Sequence, residues 1–132
     1  MTIIQSSQTK KIQASPTTTI WEFVMNEKSI SGAIVEIKER YPEKGFAVNK
    51  ISKELAFVIS GDGHIITPNQ KKPIRVGDLI FLDKGESFAW EAKPCTDSPE
   101  GKSGTGGNLT LFMATTPKFD PKQHVIKSAH TR

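Results

Sequence analysis

Apolar and polar residues alternate along much of the chain with a period of two, and the three-to-four-residue spacing of an amphipathic helix is nearly absent. In residues 21–25, Trp21, Phe23 and Met25 share one face. In residues 33–39, Ala33, Val35 and Ile37 oppose Glu36 and Lys38. Residues 54–60 are apolar on both faces, the pattern of a strand buried on both sides. Further short strands are predicted at 64–67, 74–76, 79–82, 88–92 and 109–114. Gly61-Asp62-Gly63 is suited to a hairpin turn that needs positive φ. Turns are also predicted at 68–72, 76–78 and 83–85. Many short strands at this spacing make an all-β sandwich or barrel, with no internal repeat.

Three segments lie outside this pattern. Residues 1–17 are polar and fit a sheet edge or a partly disordered arm, which leaves 18–116 for the barrel and 117–132 as a tail. Residues 93–108 form a long run of Gly, Ser and Pro, read as a mobile insertion in preference to a lid. Within it, Gly101-Lys102-Ser103 is not a phosphate loop. The upstream glycine is missing, since position 96 is Thr, and no strand-to-helix context follows.

Composition narrows the function classes. A chain of 132 residues is one domain in length and can bury a core without disulfides or a structural metal. Its charge of +4 is spread as short lysine pairs, Lys10-Lys11 and Lys71-Lys72, without the basic stripe that nucleic-acid binding requires. No apolar run reaches the roughly 20 residues of a membrane helix. The first residues are too polar for a secretory signal, so a cytoplasmic protein is expected. The one cysteine, Cys95, lies among polar residues and is read as an exposed reduced thiol.

Residues 45–90 resemble the two sequence motifs of the cupin superfamily. Gly45, Glu54 and Gly61 keep the frame of the first motif, six residues separating Glu54 from Gly61. Gly77 and Gly85 keep the spacing of the second, with fifteen residues between Gly61 and Gly77. Asp83 stands at its proline position and Phe88 at its histidine position. Residues 117–121 are similar to the tail segment of many one-domain cupins. The resemblance implies a small RmlC-like jelly-roll, the cupin double-stranded β-helix.

In that family three histidines and the glutamate usually hold a metal. The first two histidine positions fall on Ala47 and Asn49 with a four-residue gap before Glu54, or on Val48 and Lys50 with a three-residue gap. With Phe88 in the third position, the resemblance leaves only Glu54, and one carboxylate does not hold a transition metal tightly. The expectation is therefore a metal-independent cupin with no cofactor. An atypical site through Glu54 and His64 is the alternative.

If Glu54 points into the barrel as the family implies, parity brings Ala47, Asn49, Phe88 and Trp90 in with it. This predicts a mainly apolar, aromatic interior with an acid and an amide. Asn49, Glu54, Phe88 and Trp90 are the expected contacts of a small-molecule ligand, a sugar or a carboxylic acid. A solidly filled core is equally compatible with the pattern. Glu54 is the one candidate catalytic group, as the base of an isomerase- or epimerase-like reaction. Its structural reading is a pairing with Asn49, Lys50 or Arg75. Leu55, Phe57 and Ile59 face away from that interior, and a homodimer built partly on them is expected.

Overall fold

The computed structural model describes residues 1–94 and 108–128. The expected loop thus lies largely outside the described residues, as do Cys95 and His130. Twelve strands carry the fold: β1 (Lys10–Ser15), β2 (Thr18–Phe23), β3 (Ser31–Ile37), β4 (Arg40–Tyr41), β5 (Phe46–Asn49), β6 (Lys53–Ser60), β7 (Asp62–Thr67), β8 (Gln70–Arg75), β9 (Leu79–Leu82), β10 (Ser87–Ala92), β11 (Leu109–Thr116) and β12 (His124–Lys127). They form two antiparallel sheets, one in the order β1-β2-β3-β11-β6-β9 and the other β12-β5-β10-β7-β8, with β4 also paired to β10. Pairing passes both expected limits of the barrel. β1 extends the first sheet as its edge, and β12, drawn from the expected tail, pairs with β5.

All four glycines of the motif frame, Gly45, Gly61, Gly77 and Gly85, have positive φ. Gly61 is the most constrained of them. Its φ is +78°, and a Cβ there would lie 1.8 Å from the Asn108 carbonyl oxygen. The turn is not the expected hairpin, however. β6 pairs with β9 and β11 whereas β7 pairs with β8 and β10, so Gly61 is the corner where the chain changes sheets. Gly85 joins the motifs from the other side, its N–H donating to the Asn49 carbonyl at 2.8 Å.

The sheets bury their facing sides, with Val35, Ile37, Ala47, Val58, Phe88, Trp90, Leu109 and Leu111 in one cluster. The structure supplies one facing the pattern left open, in β2, and changes one expectation, in β6. Strand β2 turns Thr18, Ile20 and Glu22 to the interior, and Trp21 and Phe23 belong to its other face. Strand β6 is buried on one face only, since Leu55, Phe57 and Ile59 remain 44%, 43% and 43% exposed. Its apolar outer residues belong to a row that crosses the sheet in register: Trp21 beside Ile34, Ile34 beside Phe112, Phe112 beside Phe57 and Phe57 beside Leu79. Leu55 and Phe81 form a neighbouring pair.

Candidate functional site

The barrel is solid at one end and hollow at the other. Where β3 carries Ile37 and β11 carries Leu109 and Leu111, the side chains fill the space between the sheets. Further along the same strands come Ala33 and Thr115, and smaller side chains leave a cavity of about 260 Å³. From the first sheet it is lined by Ile12, Thr18, Ile20, Ala33, Val35, Glu54, Met113 and Thr115. From the opposite side come Tyr41, Phe88, Trp90 and His124, with Phe119 and Pro121 of the connection to β12. Most of this lining is apolar, the usual character of a small-molecule site.

The resemblance's inward Glu54, extended by parity, placed Ala47, Asn49, Phe88 and Trp90 inside with it, and all five are buried. Phe88 and Trp90 meet edge to face in the cavity wall, their ring centres 6.3 Å apart. Asn49 is not part of the wall. It stands behind Glu54 and donates from Nδ2 to Glu54 Oε1 at 3.3 Å. Of the three partners considered for Glu54, Asn49 is the one the fold supplies, because Lys50 and Arg75 are exposed. Burial lifts the Glu54 carboxyl to about 7, with the Asn49 hydrogen bond acting in the opposite direction. Its other oxygen, Oε2, is buried with no hydrogen-bond partner among the described residues, as are Trp90 Nε1 and Thr18 Oγ1.

The sequence pattern did not single out Tyr41 or His124 as site residues, yet both reach this cavity. His124 Nδ1 lies 2.7 Å from Asn49 Oδ1, and His124 Nε2 lies 2.7 Å from the Tyr41 hydroxyl. An amide oxygen only accepts, so His124 carries its proton on Nδ1 and receives the Tyr41 O–H on Nε2. The result is an unbroken series in which Tyr41 donates to His124, His124 to Asn49 and Asn49 to Glu54. Burial holds the imidazole below its ordinary value. Burial, followed by the charge of Glu54, raises the Tyr41 phenol. Both shifts favour the uncharged pair.

Delivery of His124 depends on its neighbour. Gln123, 4% exposed, accepts the backbone N–H groups of Ile51 at 2.7 Å and Ser52 at 2.8 Å through Oε1 and donates from Nε2 to Ser52 Oγ at 2.9 Å. This side chain fastens the final segment onto the β5–β6 turn and sets His124 opposite Asn49. The sequence offered no periodic signal for this segment, since the four residues of β12, His124-Val125-Ile126-Lys127, do not alternate. His64 goes elsewhere: it pairs in register with Glu91, with Nδ1 4.0 Å from Glu91 Oε1, and Glu91 is also held by Lys71 at 3.0 Å. It does not meet Glu54, and among the described residues no group of three or more His, Cys, Asp or Glu is arranged to hold a metal.

No protein-family model and no curated protein matches the sequence. Solved structures do match. A variant of Streptomyces Pac13, solved with uridine, superposes with a TM-score of 0.76 at 12% identity over 97% of this chain and 91% of that one. Pac13 is described as a nucleoside dehydratase built on a β-barrel. KdgF from a Halomonas species superposes with a TM-score of 0.65 at 9% identity, covering 92% of this chain and 98% of its own. An RmlC-like cupin from Shewanella frigidimarina gives 0.63 at 11% identity, covering 89% and 92%. The chain therefore has the cupin jelly-roll fold, as its glycine frame implied. Among the described residues no helix is long and apolar enough to cross a membrane.

Proposed function

We propose that this protein binds a small, largely apolar metabolite in the open half of the barrel, with the ligand's one polar end against Glu54. The observation that carries this reading is the coincidence of a 260 Å³ cavity with partnerless buried polar atoms on three of its lining residues, Thr18, Glu54 and Trp90. Each such atom left unpaired costs roughly 1–3 kcal/mol, which a ligand would recover where a side-chain rotation turns the atom toward it. The lining favours one of the two expected ligand classes. A free sugar carries hydroxyls all round and would leave most of them against apolar walls. A carboxylic or keto acid with an apolar body puts its polar atoms at one end, where a protonated Glu54 donates to them. The uridine complex of Pac13 supports occupancy of a barrel of this shape by a small organic molecule.

The test is a titration followed by nuclear magnetic resonance with a panel of aryl and short-chain carboxylic and keto acids and of monosaccharides. Saturable binding of at least one acid is expected, and it is lost in Ala33→Phe, whose ring fills the cavity. Equal binding by Ala33→Phe and wild type would move the site out of the barrel. We further infer a homodimer formed on the exposed apolar row of the first sheet. Two copies related by a two-fold axis would lay that row on itself.

A further inference from the structure

We propose that the cavity is a proton-transfer site in which Tyr41, backed by His124, takes a proton from the carbon next to a ligand carbonyl while the Glu54 carboxyl protonates the carbonyl oxygen. This rests on the binding reading above and assigns chemistry and substrate class to it: an apolar or aromatic carbonyl compound with an enolisable hydrogen. It also gives Glu54 the role of acid, whereas the sequence pattern had offered it as base.

The geometry has the three parts such a step needs. Tyr41, His124 and Glu54 all line the cavity, so a ligand lying in it is within reach of a group at each end of the series. The Tyr41–His124–Asn49 run has the logic of a nucleophile or acid held by a base that a third group orients. Glu54 Oε1 is already occupied as an acceptor of Asn49 Nδ2. The acid proton therefore belongs on Oε2, the oxygen with no protein partner. On the acid side of about 7 Glu54 keeps its proton, and burial favours the uncharged forms of Tyr41 and His124, the ground state this direction of transfer requires.

The step balances without a co-reactant. The carbon–hydrogen bond breaks and its proton passes to the Tyr41 oxygen as the Tyr41 proton passes to His124 Nε2. The electron pair left on carbon forms the carbon–carbon double bond, and the carbonyl π pair becomes the new O–H bond with the proton of Glu54. The products are an enol, a His124 imidazolium and a Glu54 carboxylate. Asn49 is the positioning residue between them. Its Oδ1 faces the new cation and its Nδ2 the new anion, so one amide dipole stabilises both charges as they form. Reversal with a solvent-derived proton returns the carbonyl, exchanged or isomerised.

The experiment follows deuterium uptake from D₂O at the benzylic carbon of phenylpyruvate and at C1 of 2-tetralone by proton magnetic resonance, with binding of each measured in the same samples. Wild type is expected to exceed the buffer rate. Tyr41→Phe, which keeps the ring stacked on His124, and His124→Gln each lower the enzymic rate by about 100-fold or more with binding retained. Asn49→Ala lowers it and shifts the upper limb of the pH–rate profile, which a merely structural role would not move. Binding blocked by Ala33→Phe but exchange no faster than buffer, or unchanged in Tyr41→Phe, overturns the proton-transfer inference and leaves the binding reading standing. Failure of both probes and of the whole acid panel to bind overturns the binding reading, and this inference with it. A circular-dichroism melt on each variant confirms that the fold is kept.

Discussion

A single side chain, Asn49, joins His124 to Glu54: its Oδ1 is 2.7 Å from His124 Nδ1 and its Nδ2 is 3.3 Å from Glu54 Oε1. With a four-residue gap before Glu54, the cupin resemblance puts Asn49 at a histidine position of the first motif. In place of a ligand the chain has an amide that reads one neighbour as donor and the other as acceptor. The pocket is thereby organised around hydrogen bonds between protein groups.

Glu54 makes stability depend on pH. Its carboxyl is raised from an ordinary 4.5 to about 7 by burial, so the folded state binds its proton more tightly than the unfolded state. That contribution is complete below about 4.5 and is lost as pH rises through about 7, roughly 3 kcal/mol in all. His124, held below its ordinary 6.5, has the opposite slope as pH falls. Chemical denaturation of wild type and Glu54→Gln isolates the acid. The variant is expected to gain on wild type steadily between pH 4.5 and 7. A constant difference would mean that Glu54 is ionised throughout.

Gln123→Ala should cost about 2–4 kcal/mol, because two buried or half-buried backbone N–H groups lose their acceptor. Urea midpoints measure this. The His124 ring resonances should at the same time move toward those of a solvated imidazole as β12 loosens.

Gly61→Ala combines a left-handed φ with a clash against the Asn108 backbone. A loss of about 3 kcal/mol or more is expected, seen as insoluble protein or a strongly lowered melting temperature. Gly77→Ala is the control for φ alone, since a Cβ there meets nothing within 4 Å.

Phe57 lies between Phe112 and Leu79 in the exposed row. Light scattering should give a dimer for wild type at micromolar concentration and a monomer for Phe57→Asp. A monomeric wild type would remove the dimer.

Protein purified without a polyhistidine tag should carry no stoichiometric zinc, iron or nickel. One equivalent by elemental analysis, lost in Glu54→Gln, would overturn the metal-independent reading.

The strands β3 and β11 were legible, with facing where alternation is long as in β3, and the glycine frame marked all four positive-φ positions among the described residues. The cupin resemblance placed Glu54 inside, and Phe88 and Trp90 followed from it by parity. What local pattern did not carry was pairing. The Gly61 turn reads as a hairpin until both flanking strands have found partners in different sheets. Tyr41 sits in a two-residue strand, and His124 belongs to a segment whose place is set by Gln123 reaching back to Ser52. Neither strand is long enough for periodicity to declare a face. The hollow end was hidden for a related reason: it arises from the sum of small residues on several strands, none unusual by itself.

All the hydrogens in the Tyr41–His124–Asn49–Glu54 series point the same way, which gives the site a polarity. Turning one link around means turning the rest. A reversed amide would aim Nδ2 at His124 and leave Oδ1 facing Glu54, an arrangement that only a protonated acid can complete. Acidity near neutral therefore acts as a latch on direction. Above it the Tyr41 hydrogen is committed to His124 and a guest finds the phenol only as an acceptor, and below it the reversed series frees the same O–H to donate.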